Sequence, residues 1–255
     1  MSGLSTIIGS RISTAVEVNK LLVPASSIVE HLRGYCEPAL FHTDGFGEFH
    51  LSKSGSAFRA KYKGRYFLFC TAHQMKKQRF DHDQLCLLTG DETKIISSHR
   101  AIFSEGTADE KDDFDCNLYE FTEVVENGKL SKSCWYDLCG EMANRPVQKP
   151  ALVCTIGFPG YRNEIDYTNF HYGVSPNAVW GKEEEPSVKG RLAFKPNPRI
   201  DFSPDGMSGG PVFGIELRDD KPKAFFAGLL TEATKEKFHF IARSRMFRLI
   251  DHALE

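Results

Sequence analysis

Short apolar runs separated by turn residues recur along the chain from about residue 50 to residue 230. After a first hairpin, these runs lie at 84–88, 94–96, 117–121, 151–156, 190–194, 211–217 and 224–230. Short strands punctuated by turns are typical of a β-barrel or a β-sandwich. The pattern therefore predicts an all-β fold.

The clearest local pattern is a β-hairpin that leads to a histidine. Residues 55–62 alternate small or apolar side chains with polar ones, Lys63-Gly64 supplies a tight turn, and residues 65–71 are apolar enough for a buried strand. Such a pattern predicts two paired strands that end at His73. A separate turn is predicted just before the hairpin, at residues 52–54.

Three segments favour helix over strand. Residues 244–254 repeat apolar side chains at helical spacing, which predicts a C-terminal helix with one packing face. A weaker helical pattern covers residues 131–144, and residues 23–33 predict a turn followed by a short helix. The apolar face of the C-terminal helix consists of Met246, Phe247, Ile250 and Leu254.

Length and charge exclude several functional classes. The chain has 255 residues, of which 41% are hydrophobic, and this is enough for one large core or two small ones. Its net charge of −2 offers no basic surface, so no nucleic-acid partner is expected. Residues 1–19 lack the basic start and apolar core of a secretory signal. No run approaches the roughly 18 apolar residues of a membrane span, so no membrane association is expected.

Cysteine usage favours free thiols. The seven cysteines are odd in number and scattered, and none forms a Cys-x-x-Cys pair. The closest two, Cys134 and Cys139, have no matching partner pair at zinc-like spacing. We therefore expect a reducing, cytoplasmic environment with no metal and no cofactor, while a metal or disulfide site stays as the less favoured alternative.

The segment with the strongest chemical signal is Asp205-Gly206-Met207-Ser208-Gly209-Gly210-Pro211. Glycines around a serine let the backbone turn its N–H groups towards a developing oxyanion. The Gly-x-Ser-x-Gly spacing also fits the nucleophile elbow of an α/β-hydrolase, which needs its acid and histidine after the serine. Only residues 209–255 follow Ser208, and no parallel α/β pattern precedes it, so that interpretation is rejected.

The order histidine, aspartate, serine fits the chain instead. Thr71-Ala72-His73 closes an apolar strand, and Asp115 directly precedes another. The separations are 42 residues from His73 to Asp115 and 93 from Asp115 to Ser208. Chymotrypsin-type triads follow this order with gaps of about 45 and 93 residues. Asp113 also precedes the second apolar run and remains the rival acid.

These three segments resemble the signature blocks of the trypsin-like, chymotrypsin-fold serine peptidases. Gly206–Pro211 matches the Gly-x-Ser-Gly-Gly-Pro block closely, and residues 71–73 match Thr-Ala-Ala-His with Cys70 in place of the usual threonine. Asp115-Cys116-Asn117-Leu118 matches Asp-x-Ala-Leu more loosely. Gly157-Phe158-Pro159 is similar to the Gly-Tyr-Pro of bacterial members, which suggests a bacterial-type intracellular relative.

The resemblance implies a fold and a division of the chain. The family fold is two antiparallel six-stranded β-barrels with the active site between them, followed by a C-terminal α-helix. Residues 1–44 would form an N-terminal extension that packs on the barrels, residues 45–140 the first barrel, and residues 141–255 the second barrel and the helix. The polar segment 141–149, which contains one proline, is the expected linker.

The resemblance also implies the role of each catalytic residue. His73 would take a proton from Ser208 as the serine attacks a peptide carbonyl, and Asp115 would orient the imidazole. The N–H groups of Gly206 and Ser208 would bind the oxyanion. Substrate-binding positions carried over from the family are Phe202, Thr231, Glu232 and Ala233.

Departures from the family limit what the resemblance implies. The digestive enzymes have a cysteine just after the histidine and an aspartate just before the serine, where this chain has Gln74 and Met207. A disulfide-stapled enzyme that is activated by propeptide cleavage is therefore not expected. Phe202 occupies the position of the acid that reads Arg or Lys in trypsin, so a preference for basic residues is not supported.

The sequence thus predicts a serine endopeptidase that acts on a protein or peptide substrate through an acyl-enzyme. The alternative is a protease-fold binding or regulatory module with a latent or partner-gated site. An esterase built on the same barrels is a third and weaker hypothesis. Because unrestricted proteolysis inside a cell is toxic, we expect either narrow specificity or a regulatory protein partner.

Overall fold

In the computed structural model, the described residues are 14–43, 51–78, 81, 84–88, 94–103, 115–140, 150–162, 164–166 and 171–255. The strands are β1 (Ala15–Val18), β2 (Leu21–Pro24), β3 (Cys36–His42), β4 (Leu51–Tyr62), β5 (Arg65–Cys70), β6 (Leu85–Leu88), β7 (Ile95–Ser97), β8 (Arg100–Phe103), β9 (Asn117–Glu120), β10 (Tyr136–Asp137), β11 (Leu152–Gly157), β12 (Glu164–Asp166), β13 (His171–Gly173), β14 (Asn177–Glu184), β15 (Leu192–Pro196), β16 (Pro211–Arg218), β17 (Lys221–Ala233) and β18 (Phe238–Ala242). The α-helices are α1 (Ile28–Arg33), α2 (Ala72–Gln78), α3 (Thr122–Glu126) and α4 (Arg243–Leu254). Short 3₁₀ turns cover Ala25–Ser27 and Gly160–Arg162.

The second half of the chain forms a closed barrel. Strands β11, β14, β15, β18, β17 and β16 pair in that order, and β16 closes the ring because it pairs with both β17 and β11. Every pairing in this ring is antiparallel. Apolar side chains that alternate along the strands fill its interior, among them Phe194, Phe225 and Phe238.

The first half forms a curled sheet in the order β7-β6-β3-β4-β5-β9-β8. Lys63-Gly64 turns β4 into β5 as predicted, with Tyr62 opposite Arg65. Among the described strands the two ends of this sheet do not pair with each other. The prediction of an all-β, chymotrypsin-like fold is confirmed, with one closed six-stranded barrel, one curled sheet and one C-terminal helix.

Aromatic side chains join the two sheets into one core. Phe58 on β4 stacks on Phe226 of β17, with 4.4 Å between ring centroids, and meets Phe213 of β16 edge-on. Tyr136 packs against Phe213 at 5.4 Å. Stacked and edge-on rings stabilise a packed interior beyond the area they bury. The junction between the sheets is therefore a rigid base for any site built across it.

The N-terminal strands join the second barrel. Strand β1 lies parallel to β17, with Glu17 opposite Lys223, and β2 pairs with β1 at the outer edge. Strand β3 instead pairs with β4 and β6 in the first sheet. The predicted division at residues 44 and 140 stays a prediction.

Two local predictions are wrong. The turn expected at residues 52–54 is absent, because β4 runs without interruption from Leu51 to Tyr62. The helix expected at 131–144 is absent from its described part, 131–140, where β10 pairs with β4. Burial of Trp135 and Tyr136 in the core accounts for the apolar spacing that suggested a helix. Residues 141–149, including the predicted linker, lie outside the described residues.

The C-terminal helix is confirmed. Helix α4 buries Met246, Leu249 and Ile250, while Phe247 and Leu254 are only partly buried against the same core. In the described part of the chain, no helix combines the length and the apolar character required to cross a membrane.

Candidate active site

The loop that carries Ser208 depends on glycine at two positions. Gly206 and Gly209 have φ angles of +92° and +84°, in the left-handed region that side chains rarely adopt. A β-carbon on Gly209 would overlap the Ser56 carbonyl oxygen, and one on Gly206 would lie 2.7 Å from the Phe158 carbonyl oxygen. The glycines therefore set both the turn and its close packing against neighbouring backbone.

Backbone hydrogen bonds hold this loop between β4 and β17. The Ser56 N–H donates to the Ser208 carbonyl oxygen at 2.9 Å. On the other side, the Gly209 N–H donates to the Leu230 carbonyl oxygen at 2.7 Å, and the Leu230 N–H donates to the Gly210 carbonyl oxygen at 2.9 Å. The nucleophile loop, defined as residues 204–210, thus bridges the curled sheet and the closed barrel.

Gln74 is a structural link that the sequence did not reveal. Its amide nitrogen donates to the carbonyl oxygens of Ser208 at 2.7 Å and Ser56 at 3.1 Å. Its amide oxygen accepts from the Thr71 N–H at 2.8 Å. The family resemblance indicated only that Gln74 stands where the digestive enzymes have a cysteine. The buried glutamine instead connects the segment before the histidine to the carbonyl group of the candidate nucleophile.

His73 and Asp115 form a two-point contact. The Asp115 carboxylate accepts from the His73 backbone N–H at 2.9 Å, and its second oxygen lies 2.6 Å from His73 Nδ1. Burial alone raises the pKa of Asp115, but hydrogen bonding to His73 and electrostatic interactions with His73 and Arg191 hold that pKa below its ordinary value. Asp115 is therefore ionised at neutral pH and fixes the imidazole, whose side chain is 43% exposed.

The Ser208 hydroxyl points to a different acceptor. Its Oγ donates to the Thr231 carbonyl oxygen at 2.9 Å, and among the described residues it makes no hydrogen bond to His73. His73 Nε2 lies 3.5 Å from the Thr71 hydroxyl. The histidine and aspartate are thus in direct contact, and the hydrogen bonds of Gln74 connect the Ser208 carbonyl group to the segment that carries the histidine.

Two backbone N–H groups beside Ser208 are free to bind an anion. The Asp205 carbonyl oxygen accepts from the Gly160 N–H at 2.7 Å, and a trans peptide directs the Gly206 N–H the opposite way. Within the described ranges, neither the Gly206 N–H nor the Ser208 N–H has an acceptor. This arrangement is the open form expected of an oxyanion hole.

Ser56 fixes the orientation of Gly206. Its hydroxyl donates to the Gly206 carbonyl oxygen at 2.8 Å and accepts from the Phe158 N–H at 2.8 Å. Ser56 is fully buried, so both bonds are shielded from water. The Ser56 hydroxyl thus ties the Gly206 carbonyl group of the loop to the backbone that follows β11.

The predicted substrate-binding residues occupy two places. Thr231 is buried beside Ser208 at an irregularity in β17, Glu232 is exposed, and Ala233 is partly buried. Pairing of β17 with β16 ends at Leu229, so the backbone edge of residues 231–233 on that side is unpaired within the described strands. Phe202 packs against the second-barrel core, with its ring 5.5 Å from that of Tyr161.

Two other expectations bear on the chemistry of the site. Asp113, the rival acid, lies outside the described residues. Across the described part of the chain, no three His, Cys, Asp or Glu side chains are grouped so that they could hold a metal ion.

No protein-family model and no curated protein matches this chain by sequence. Among solved structures, it is similar to human heparin binding protein, with a TM-score of 0.55 and 11% identity over 87% of this chain and 91% of that chain. At this identity the likeness establishes the fold and nothing about activity. The chain has the barrel architecture of the trypsin-like, chymotrypsin-fold proteins.

Proposed function

We propose that this protein is a serine endopeptidase with Ser208 as nucleophile, His73 as general base and Asp115 as orienting acid. The observation that carries the proposal is the open pair of N–H groups at Gly206 and Ser208, on a loop that Gln74 links to the segment of the histidine. Two neighbouring N–H groups without acceptors, on either side of a serine, are what the stabilisation of an oxyanion requires.

The proposed reaction begins with rotation of the Ser208 hydroxyl away from Thr231. His73 Nε2 then accepts the hydroxyl proton as Oγ attacks the substrate carbonyl carbon, and the resulting oxyanion binds the N–H groups of Gly206 and Ser208. Asp115 stabilises the imidazolium. His73 next donates its proton to the departing amine, which breaks the peptide bond and leaves an acyl-enzyme that water hydrolyses.

The unpaired edge of residues 231–233 suits an extended peptide. A strand added there would form main-chain hydrogen bonds to β17 and would carry its scissile carbonyl to the nucleophile loop. Substrate entry would also displace the Ser208 hydroxyl from the Thr231 carbonyl oxygen. Phe202 offers an aromatic surface at the position carried over from the family, which favours an apolar rather than a basic residue before the cut.

A fluorophosphonate probe tests this proposal. The purified protein is labelled and the adduct located by mass spectrometry, with Ser208→Ala, His73→Ala and the exposed, remote Ser131→Ala as variants. We expect labelling at Ser208 that is lost in the first two variants and kept in the third. Absence of labelling in the wild-type protein, or labelling that survives Ser208→Ala, would overturn the proposal.

A second candidate is a binding or regulatory module with a partner-gated site. The hydrogen bond from Ser208 to Thr231 favours it, because the hydroxyl faces away from its proposed base. Under this alternative the isolated protein resists the probe, and labelling appears only when a partner protein is added. Heparin-like polyanions are not favoured as ligands, because the net charge is −2.

We further propose that the protein works in a reducing compartment such as the cytoplasm. All seven cysteines are free thiols, and five of them are buried. Burial raises the pKa of Cys86 to about 12 and that of Cys36 well above its ordinary value, which keeps these thiols unreactive.

A further inference from the structure

A lysine lies beside the glycine proposed to bind the oxyanion. Lys53 is near the start of β4, and its Nζ donates to the Phe158 carbonyl oxygen at 2.8 Å. A β-carbon built on Gly206 would lie 3.5 Å from the same Nζ. The ammonium group is thus within van der Waals distance of the nucleophile loop, on the side that faces β4.

This ammonium group has unused capacity to bind an anion. An ammonium group carries three N–H donors, and only one donates to an acceptor, Phe158, within the described ranges. No carboxylate in the described part of the chain forms an ion pair with Lys53. Burial alone lowers the pKa of Lys53 to about 8. A half-buried cation without a counter-ion costs stability, which points to a role in function.

The position of Lys53 relative to the substrate follows from the two sides of the nucleophile loop. Leu230 and Thr231 of β17 bind one side, and Ser56 of β4 binds the other. If the acyl half of a peptide pairs along residues 231–233, the leaving half continues past Ser208 and over the β4 side. Lys53 is the cation that the leaving half meets there.

We propose that Lys53 is a specificity-determining residue that binds a carboxylate on the leaving half of the substrate. The carboxylate is either the side chain of an aspartate or glutamate shortly after the cut or the C-terminal carboxylate of a short peptide. Both sources present the same oxygen pair to the two unused N–H donors. This inference rests on the proposed endopeptidase activity.

The test compares matched peptides that differ only in charge after the cut. A cleaved sequence is first found with a peptide library, and glutamate is then exchanged for glutamine at each of the first three positions after the cut. A separate pair has a free or an amidated C-terminus, which distinguishes the two sources of carboxylate. We expect kcat/KM to favour the acidic peptide by about fivefold, the effect of one charge pair at a partly exposed site.

Variants of Lys53 identify the cause of that preference. Lys53→Met should reduce the acidic-to-neutral ratio of kcat/KM to about one, and Lys53→Glu should invert it. The exposed, remote Lys129→Met is the matched control and should keep the wild-type ratio. Labelling of Ser208 by fluorophosphonate in each variant shows that the site is intact.

The outcomes separate the two proposals. A wild-type protein that neither cleaves peptides nor labels at Ser208 overturns the endopeptidase proposal and this inference with it. A wild-type protein that cleaves acidic and neutral peptides equally overturns only the role of Lys53. The same holds if an acidic preference survives Lys53→Met.

Discussion

Replacement of the buried Gln74 should weaken the junction between the two sheets more than its size suggests. Gln74 is only 2% exposed and makes three hydrogen bonds, one to the N–H of Thr71 and one each to the carbonyl oxygens of Ser56 and Ser208. Leucine has a similar volume and fills the same space. Gln74→Leu therefore removes the hydrogen bonds while it keeps most of the packing.

The expected loss in the free energy of unfolding depends on which of these groups keep a hydrogen-bond partner. The Ser208 carbonyl oxygen still accepts from the Ser56 N–H, so loss of its hydrogen bond from Gln74 costs little stability. The Thr71 N–H is in a fully buried residue and loses its acceptor, which costs about 1–3 kcal/mol. The two donated bonds add about 1 kcal/mol each, so we expect a total loss of about 3–5 kcal/mol, offset by roughly 1 kcal/mol from burial of the apolar leucine.

Urea unfolding at pH 7, followed by tryptophan fluorescence, measures this loss. The matched control is Gln84→Leu, since the Gln84 side chain accepts one exposed hydrogen bond from the Asp81 N–H. We expect a net destabilisation of about 2–4 kcal/mol for Gln74→Leu and less than about 0.5 kcal/mol for the control. Equal unfolding midpoints for the two variants would refute the account of Gln74 as the link between histidine and serine.

Three further predictions concern the site itself. Gly206→Ala should slow fluorophosphonate labelling of Ser208 by about 10²–10³-fold. The control is Gly128→Ala, which also has a positive φ but has open space around it and should label at the wild-type rate. Equal rates for the two variants would contradict the oxyanion assignment. Asp115→Asn should lower kcat by about 10⁴-fold. The folded state lowers the pKa of Asp115, so ionised Asp115 makes the wild-type protein more stable than Asp115→Asn. This difference in stability should be complete above about pH 4 and should disappear as the pH falls through the folded pKa. A difference in unfolding midpoint that does not change with pH would be inconsistent with this. Lys53→Met should raise the free energy of unfolding at pH 7 by on the order of 1 kcal/mol. The reason is that burial lowers the pKa of Lys53 from 10.5 to about 8, so the charged lysine destabilises the folded state. That gain should shrink between pH 8 and pH 10.5 in urea titrations, and a constant gain would argue against a buried charge as its source.

The candidate site could be proposed from the sequence because its residues follow local patterns. Glycines flank Ser208 since only glycine fits the backbone there, and His73 and Asp115 each border an apolar strand. These requirements leave a mark within a few residues. The structure brings His73 and Asp115 together at hydrogen-bond distance, 42 residues apart in the chain.

The parts that the sequence did not reveal depend on distant contacts. Strands β1 and β2 are joined by a turn in which Asn19 and Lys20 adopt positive φ without glycine, so the usual turn signal is missing. Gln74 looks like any polar residue until its partners in β4 and the nucleophile loop are known. The apolar spacing near Trp135 reflects its burial against Tyr66 and Phe121 of the first half of the chain, and it imitates a helix when only the sequence is considered.

Gating of the site concerns the orientation of the Ser208 hydroxyl, which can be observed directly. The Ser208 hydroxyl is held by the Thr231 carbonyl oxygen, while the N–H groups around it are already open. In the proposed reaction, rotation of the Ser208 side chain away from Thr231 comes first. Such a rotation takes place on the picosecond to nanosecond timescale for an accessible side chain, so it does not by itself limit catalysis.

The most direct test of the central claim is a crystal structure of the protein after reaction with a fluorophosphonate. The account predicts a covalent bond to Ser208 Oγ, with the phosphonyl oxygen about 2.7–3.1 Å from the N–H groups of both Gly206 and Ser208. Electron density that shows an unmodified Ser208, or a phosphonyl oxygen directed away from those two groups, would contradict it.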